Sequence, residues 1–207
     1  MRTWTRAVPA ALGALALALA LAGCNDTDSG KSGKGSGYGS GSDSGSSDDK
    51  ADDKTTYRLG EASPPQESTM QATKDSTFTV TPTKVLTGTE ADMAESGLDL
   101  AELPGPKVPV YVWSTLTHKS GKSMPVGDMD DDLVVRTDQD DRTKALLVLM
   151  GDATWPDCPA PDTEKQLSEG QSAEICTTFL ITRGEKAAAV ELTQGFYNDP
   201  LEWPVKG

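Results

Sequence analysis

Four carboxylates crowd into Asp128-Met129-Asp130-Asp131-Asp132, the densest run of chemistry-bearing side chains in the sequence. Calcium takes six to eight oxygens, and carboxylates at alternate positions of a loop can converge on it, so Asp128, Asp130 and Asp132 are candidate metal ligands. As an EF-hand the run fails. Leu133 stands where the tight turn needs glycine, and Gln139 where a bidentate glutamate belongs. A loop of another type would draw on Asp138, Asp140 and Asp141. The alternative is a pair of solvated acidic turns flanking a short strand. Calcium is the one cofactor these residues suggest.

His118 is the only histidine, hence the only side chain that ordinarily titrates near neutral pH. A hydrolytic triad would need a nucleophile in a recognisable local setting, and no Gly-x-Ser-x-Gly elbow occurs in the chain. His118 is expected to sit at a strand end. From residue 55 onward there are 25 Asp and Glu against 13 Lys and Arg, so some carboxylate pair would match any glycosidase spacing by chance. Nothing here singles out catalytic residues, and the expectation is a protein that is not an enzyme.

Three cysteines remain: Cys24, Cys158 and Cys176. Cys24 closes Leu21-Ala22-Gly23-Cys24, after Arg2, Arg6 and an Ala/Leu run of about 15 residues, shorter than the roughly 20 needed to cross a hydrocarbon core. This stretch resembles the lipobox of bacterial lipoproteins. The resemblance implies cleavage before Cys24, acyl chains on that cysteine, and attachment to the outer face of the cytoplasmic membrane. Cys158 and Cys176 are then an even pair in an exported chain, which reads as a disulfide; two buried free thiols are the other reading.

Loss of Arg2 and Arg6 with the leader takes the net charge from -13 to -15. So acidic a chain repels phosphate backbones, which argues against nucleic acid as a partner and favours cations or basic proteins. Residues 25–54 are almost entirely Gly, Ser, Asp and Lys and cannot bury enough apolar surface to fold. Gly30–Gly37 contains fragments of a phosphate loop, but neither strand nor helix flanks it. As a flexible coil this spacer reaches about 30 Å.

Residues 55–207 are long enough for one domain, and the dominant period is two. Phe78 and Val80 alternate with threonines in a strand that Pro82 breaks or confines to an edge. Residues 90–103 suggest a helical turn ended by Pro104-Gly105-Pro106. Val108, Val110, Val112 and Leu116 alternate with Tyr111, Trp113, Thr115 and Thr117, the pattern of a central strand. Further strands are expected at 133–137, 145–150 and 173–183, with Arg183-Gly184-Glu185-Lys186 turning the last into a hairpin with 187–194. Trp113 and Phe179 are expected in the core. Trp155 either packs beneath a disulfide or joins Trp203 in an exposed binding patch, so Trp155 and Trp203 are the candidate binding residues. Phe196 and Tyr197 complete the aromatics of interest.

Val110-Tyr111-Val112-Trp113, Ser120-Gly121-Lys122 and Leu167-Ser168-Glu169-Gly170-Gln171, followed by the Cys176 strand with Phe179-Leu180-Ile181, are together similar to immunoglobulin-like domains of unknown function in bacterial surface lipoproteins. The similarity spans roughly Tyr57 to Trp203. It implies an all-β, immunoglobulin-like β-sandwich with an interaction role and carries no catalytic residues. The chain departs from antibody domains in its short Cys158–Cys176 spacing and in Trp113 lying outside that pair. The expectation is a lipid-anchored binding module: leader 1–23, Cys24 and linker 24–54, sandwich 55–207. Its partner would be an envelope protein or ligand.

Overall fold

The computed structural model describes residues 54–148, 153–195 and 198–206, all within one compact unit, Ser47–Gly207. The leader, Cys24, the spacer, Phe196 and Tyr197 lie outside the described residues.

The described residues form ten strands: β1 Gln66–Glu67, β2 Thr77–Thr87, β3 Lys107–Ser120, β4 Met124–Pro125, β5 Leu133–Thr137, β6 Arg142–Lys144, β7 Gln166–Leu167, β8 Ser172–Thr182, β9 Ala187–Leu192 and β10 Leu201–Pro204. They form two antiparallel four-stranded sheets, β1-β2-β3-β8 and β10-β9-β5-β6, plus the small pair β4-β7. Counting β2 as strand A, the chain passes A and B in the first sheet and C and C′ in the second. It then returns to E in the first and ends on F and G in the second. That is the immunoglobulin-like order, with no strand D beside E.

Alternation along each strand builds the core. Val80, Val110, Val112, Leu116, Phe179 and Ile181 from one sheet meet Leu133, Val135, Val190, Leu192, Leu201 and Trp203 from the other, all buried. Pro82 falls at a register shift between β2 and β3, which accommodates its missing N–H. Thr89 caps α1, Glu90–Glu95: its backbone N–H donates to Asp92 Oδ2 at 2.6 Å, and its Oγ1 accepts from the Asp92 N–H at 3.2 Å. The turn after β3 requires Gly121, whose φ is +94° and where an added Cβ would lie 2.7 Å from Ser76 Cα.

Three expectations change. First, Arg183–Lys186 does not close a hairpin. β8 pairs with β3 while β9 pairs with β5 and β10, so these residues carry the chain across from one sheet to the other. Two apolar strands around a short turn look alike in either arrangement. Second, of the strand expected at 145–150 the described residues 145–148 show an isolated bridge, Ala145 to Phe179, and 149 and 150 lie outside the described residues; β6 ends at Lys144 and Leu147 is 83% exposed. Third, Trp113 is not in the main core. It shares the outer parity of Tyr111, and Lys84 Nζ covers its ring at 4.1 Å from the centroid.

Candidate functional site

A second, smaller core lies on the outer face of the β2-β3-β8 sheet. Met93 of α1, Tyr111 of β3 and Trp155 are buried together with Cys158 and Cys176. The two cysteines form a disulfide with Cα atoms 5.3 Å apart, which clamps the irregular 153–163 segment onto β8. It joins a loop to one sheet and does not tie the two sheets together. Trp155 takes the buried option, 6% exposed and edge-on to Tyr111 at 5.8 Å. Thiol titration of the denatured, unreduced protein is expected to find no reactive cysteine at 158 or 176, and both after reduction.

The flank between the edge strands β8 and β6 is crossed by the Ala145–Phe179 bridge and by the Leu146 N–H, which donates to the Thr178 carbonyl at 2.8 Å. A groove of about 420 Å³ lies there, walled by Leu146, Leu147, Val148, Trp155 and Ala160, with Asp130, Asp131 and Thr177 on its polar side. Thr177 lies on β8 and Asp130 follows the 3₁₀ turn Val126–Met129, so the two sheets' connections place hydroxyl against carboxylate. The Thr177 hydroxyl donates to Asp130 Oδ2 at 2.9 Å. Burial pushes the Asp130 carboxyl up to about 6; the Thr177 hydrogen bond opposes this and the Asp131 charge reinforces it. Asp131 is also raised, by burial first and then by Asp128 and Asp132.

Asp128, Asp130 and Asp132 form no converging set of metal ligands among the described residues. Asp130 is turned inward onto Thr177. Millimolar calcium is expected to leave the thermal melt unchanged, and a rise that chelator reverses would restore Asp128, Asp130 and Asp132 as ligands.

Trp203 is likewise not an exposed binding residue. It is fully buried on β10, and its Nε1–H donates to the Glu61 carbonyl at 2.9 Å. His118 sits near the end of β3 on the core-facing parity, fully buried, with Nε2 donating to the Lys122 carbonyl at 2.7 Å. A ring so placed reaches no substrate.

One charged cluster escaped the sequence analysis. Glu191 on β9, 1% exposed at its side chain, accepts from Arg136 Nε at 2.6 Å and from Arg142 Nε at 2.7 Å, while Arg136 Nη2 also reaches Glu202 at 2.9 Å. These bonds raise both guanidinium pKa values, with Glu191 the leading cause for each. Arg136 lies on β5 and Arg142 on β6, and the sheet order β9-β5-β6 gathers them with Glu191 across about 50 residues of sequence, so no local signal marks the cluster. Glu191→Gln is expected to cost about 2 kcal/mol in urea unfolding. That is less than a fully buried pair loses, because both arginines keep access to water and a second acid.

Strand order and site together define the class: an immunoglobulin-like β-sandwich with a disulfide-clamped groove at one flank. No protein family model matches the chain, and no curated protein sequence matches it. Among solved structures it is similar to MPT63, a secreted protein from Mycobacterium tuberculosis, at 15% identity over 72% of this chain and 96% of that one, with a TM-score of 0.46. Among the described residues no helix is long and apolar enough to cross a membrane.

Proposed function

We propose that this chain is a lipid-anchored, non-catalytic binding module held on the outer face of a bacterial cytoplasmic membrane. The anchor reading rests on Leu21-Ala22-Gly23-Cys24 and the flanks around it. The Cys158–Cys176 disulfide suits an exported domain. The interaction role rests above all on the flank groove, where apolar side chains stay exposed beside a nearly buried carboxylate. Soluble domains seldom leave such a combination uncovered without a use for it.

The chain enters the sandwich at Lys54, next to its C-terminal end: Thr56 bridges Glu202, and the Glu202 N–H donates to the Thr55 carbonyl at 2.7 Å. Lys54, Arg58 and Lys206 line a hollow at this end together with Glu61, which pairs with Lys54 at 3.2 Å.

Metabolic labelling with an alkyne fatty acid tests the anchor in a lipoprotein-processing bacterium. The wild-type chain should carry label and sediment with membranes, while Cys24→Ala should be unlabelled and released. Membrane retention of an unlabelled Cys24→Ala protein would overturn the lipid anchor.

A further inference from the structure

Two acids of this domain are almost fully buried, and they are treated differently. Glu191 is held by two arginines, whereas Asp130, 9% exposed, has a hydroxyl partner and, among the described residues, no lysine or arginine within ion-pair distance. Asp130 also differs in position, since it opens onto the flank groove. A buried carboxylate without a counter-ion is a costly arrangement unless a cation arrives from outside.

We propose that the flank groove receives a lysine side chain from a partner protein, its ammonium group on Asp130 and its aliphatic stem along Leu146, Leu147 and Trp155. This deepens the binding-module reading above and rests on it. Three observations select the ligand. Asp130 and Thr177 supply too few oxygens for a divalent metal. Thr177 donates to Oδ2, and at a carboxylate only 9% exposed a compact ammonium reaches the remaining acceptor sites more readily than a wide, forked guanidinium. The groove wall is hydrocarbon, suited to the four-carbon stem that lysine buries while its charge is satisfied elsewhere. Leu147, 83% exposed, stands at the rim to take an apolar neighbour of that lysine. The net charge of -13 would draw a basic partner toward the groove from a distance.

The test is a titration of the intact protein, followed in amide correlation spectra, with acetyl-Val-Lys-Val-amide and its norleucine twin. The lysine peptide should shift the amides of Leu146, Thr177 and Thr178 and bind at least tenfold more tightly than the norleucine peptide. In Asp130→Asn, which keeps the side-chain shape and the Thr177 bond, that difference should vanish. Leu147→Ser, a change at an exposed site, should weaken both peptides. Equal affinity of wild-type protein for the two peptides would overturn the ammonium site and leave the groove as a binding face. Tighter binding of spermidine than of the lysine peptide would overturn the protein partner in favour of a free polyamine. Shifts confined to residues outside the groove, or none, would overturn the groove itself; the anchor at Cys24, tested by labelling, stands or falls separately.

Discussion

Trp203→Ala is expected to destabilise the domain by about 4 kcal/mol, the usual loss when a large aromatic is removed from a packed interior. At this domain size that corresponds to a fall of about 12 °C in the melting midpoint. The indole is fully buried between the sheets, tilted against Tyr57 at 5.5 Å between ring centroids, and hydrogen-bonded to the Glu61 carbonyl. It joins three parts of the chain at once: β10, the core and the incoming residues 55–63. Tyr57 N–H donates to the Glu202 carbonyl at 2.8 Å and Ser63 N–H to the Val80 carbonyl at 2.8 Å, so the entering segment is stitched along both sheets. Losing the indole should therefore also expose this segment to protease before the domain melts. Trp203→Phe should lose less, since the ring volume is largely kept and the Glu61 carbonyl alone goes unpaired. An alanine variant as stable as the wild type would mean that β10 does not close the sandwich.

Asp130→Asn should do the opposite and stabilise the protein, by an amount that depends on pH. The Asp130 carboxyl titrates ordinarily near 3.8 and in the fold near about 6, so the native state holds the extra proton between those values. By linkage, stability falls as pH rises from about 4 to about 6 and is level beyond, where the ionised carboxylate remains in a poorer environment than water. At 1.36 kcal/mol per pKa unit the penalty at pH 8 is about 3 kcal/mol, and asparagine, with no proton to lose, should recover it. Near pH 3 the two proteins should be about equally stable, because that lies below both values and aspartic acid is then largely protonated in both states. Urea midpoints at the two pH values measure the difference directly. Asp131, raised in the same direction, leaves a residual slope of the same sign in the variant. A variant no more stable than wild type at pH 8 would show that Asp130 is well solvated or already paired. Should the groove bind lysine, saturating lysine peptide would stabilise the wild-type protein at pH 8 more than the variant, because the bound ammonium supplies the counter-ion that only the carboxylate needs.

The sequence by itself determined the β class, the strand at 133–137, the central place of β3, the two faces of β8 and the pairing of Cys158 with Cys176. Each follows from local alternation, or from there being two cysteines in residues 55–207. Tertiary structure alone decided which sheet each strand joined. Whether Arg183–Lys186 closes a hairpin or crosses between layers depends on the partners β9 finds in β5 and β10, and these lie far away in sequence. The same limit explains the tryptophans. Leu201, Trp203 and Val205 do alternate, but so near the chain end the period was too short to read as a strand, and a terminal Trp-Pro resembled an exposed tail. Trp113 was misplaced for a different reason: its own alternation with Val112 put it outside, and hydrophobicity alone suggested the core. The candidate site was legible only as an acidic run. Which of its members is buried, and which hydroxyl or cation meets it, depends on Thr177 arriving from β8, 47 residues away. Charge sequence names the donors; only packing assigns their partners, because burial and ion pairing are properties of contacts between distant strands.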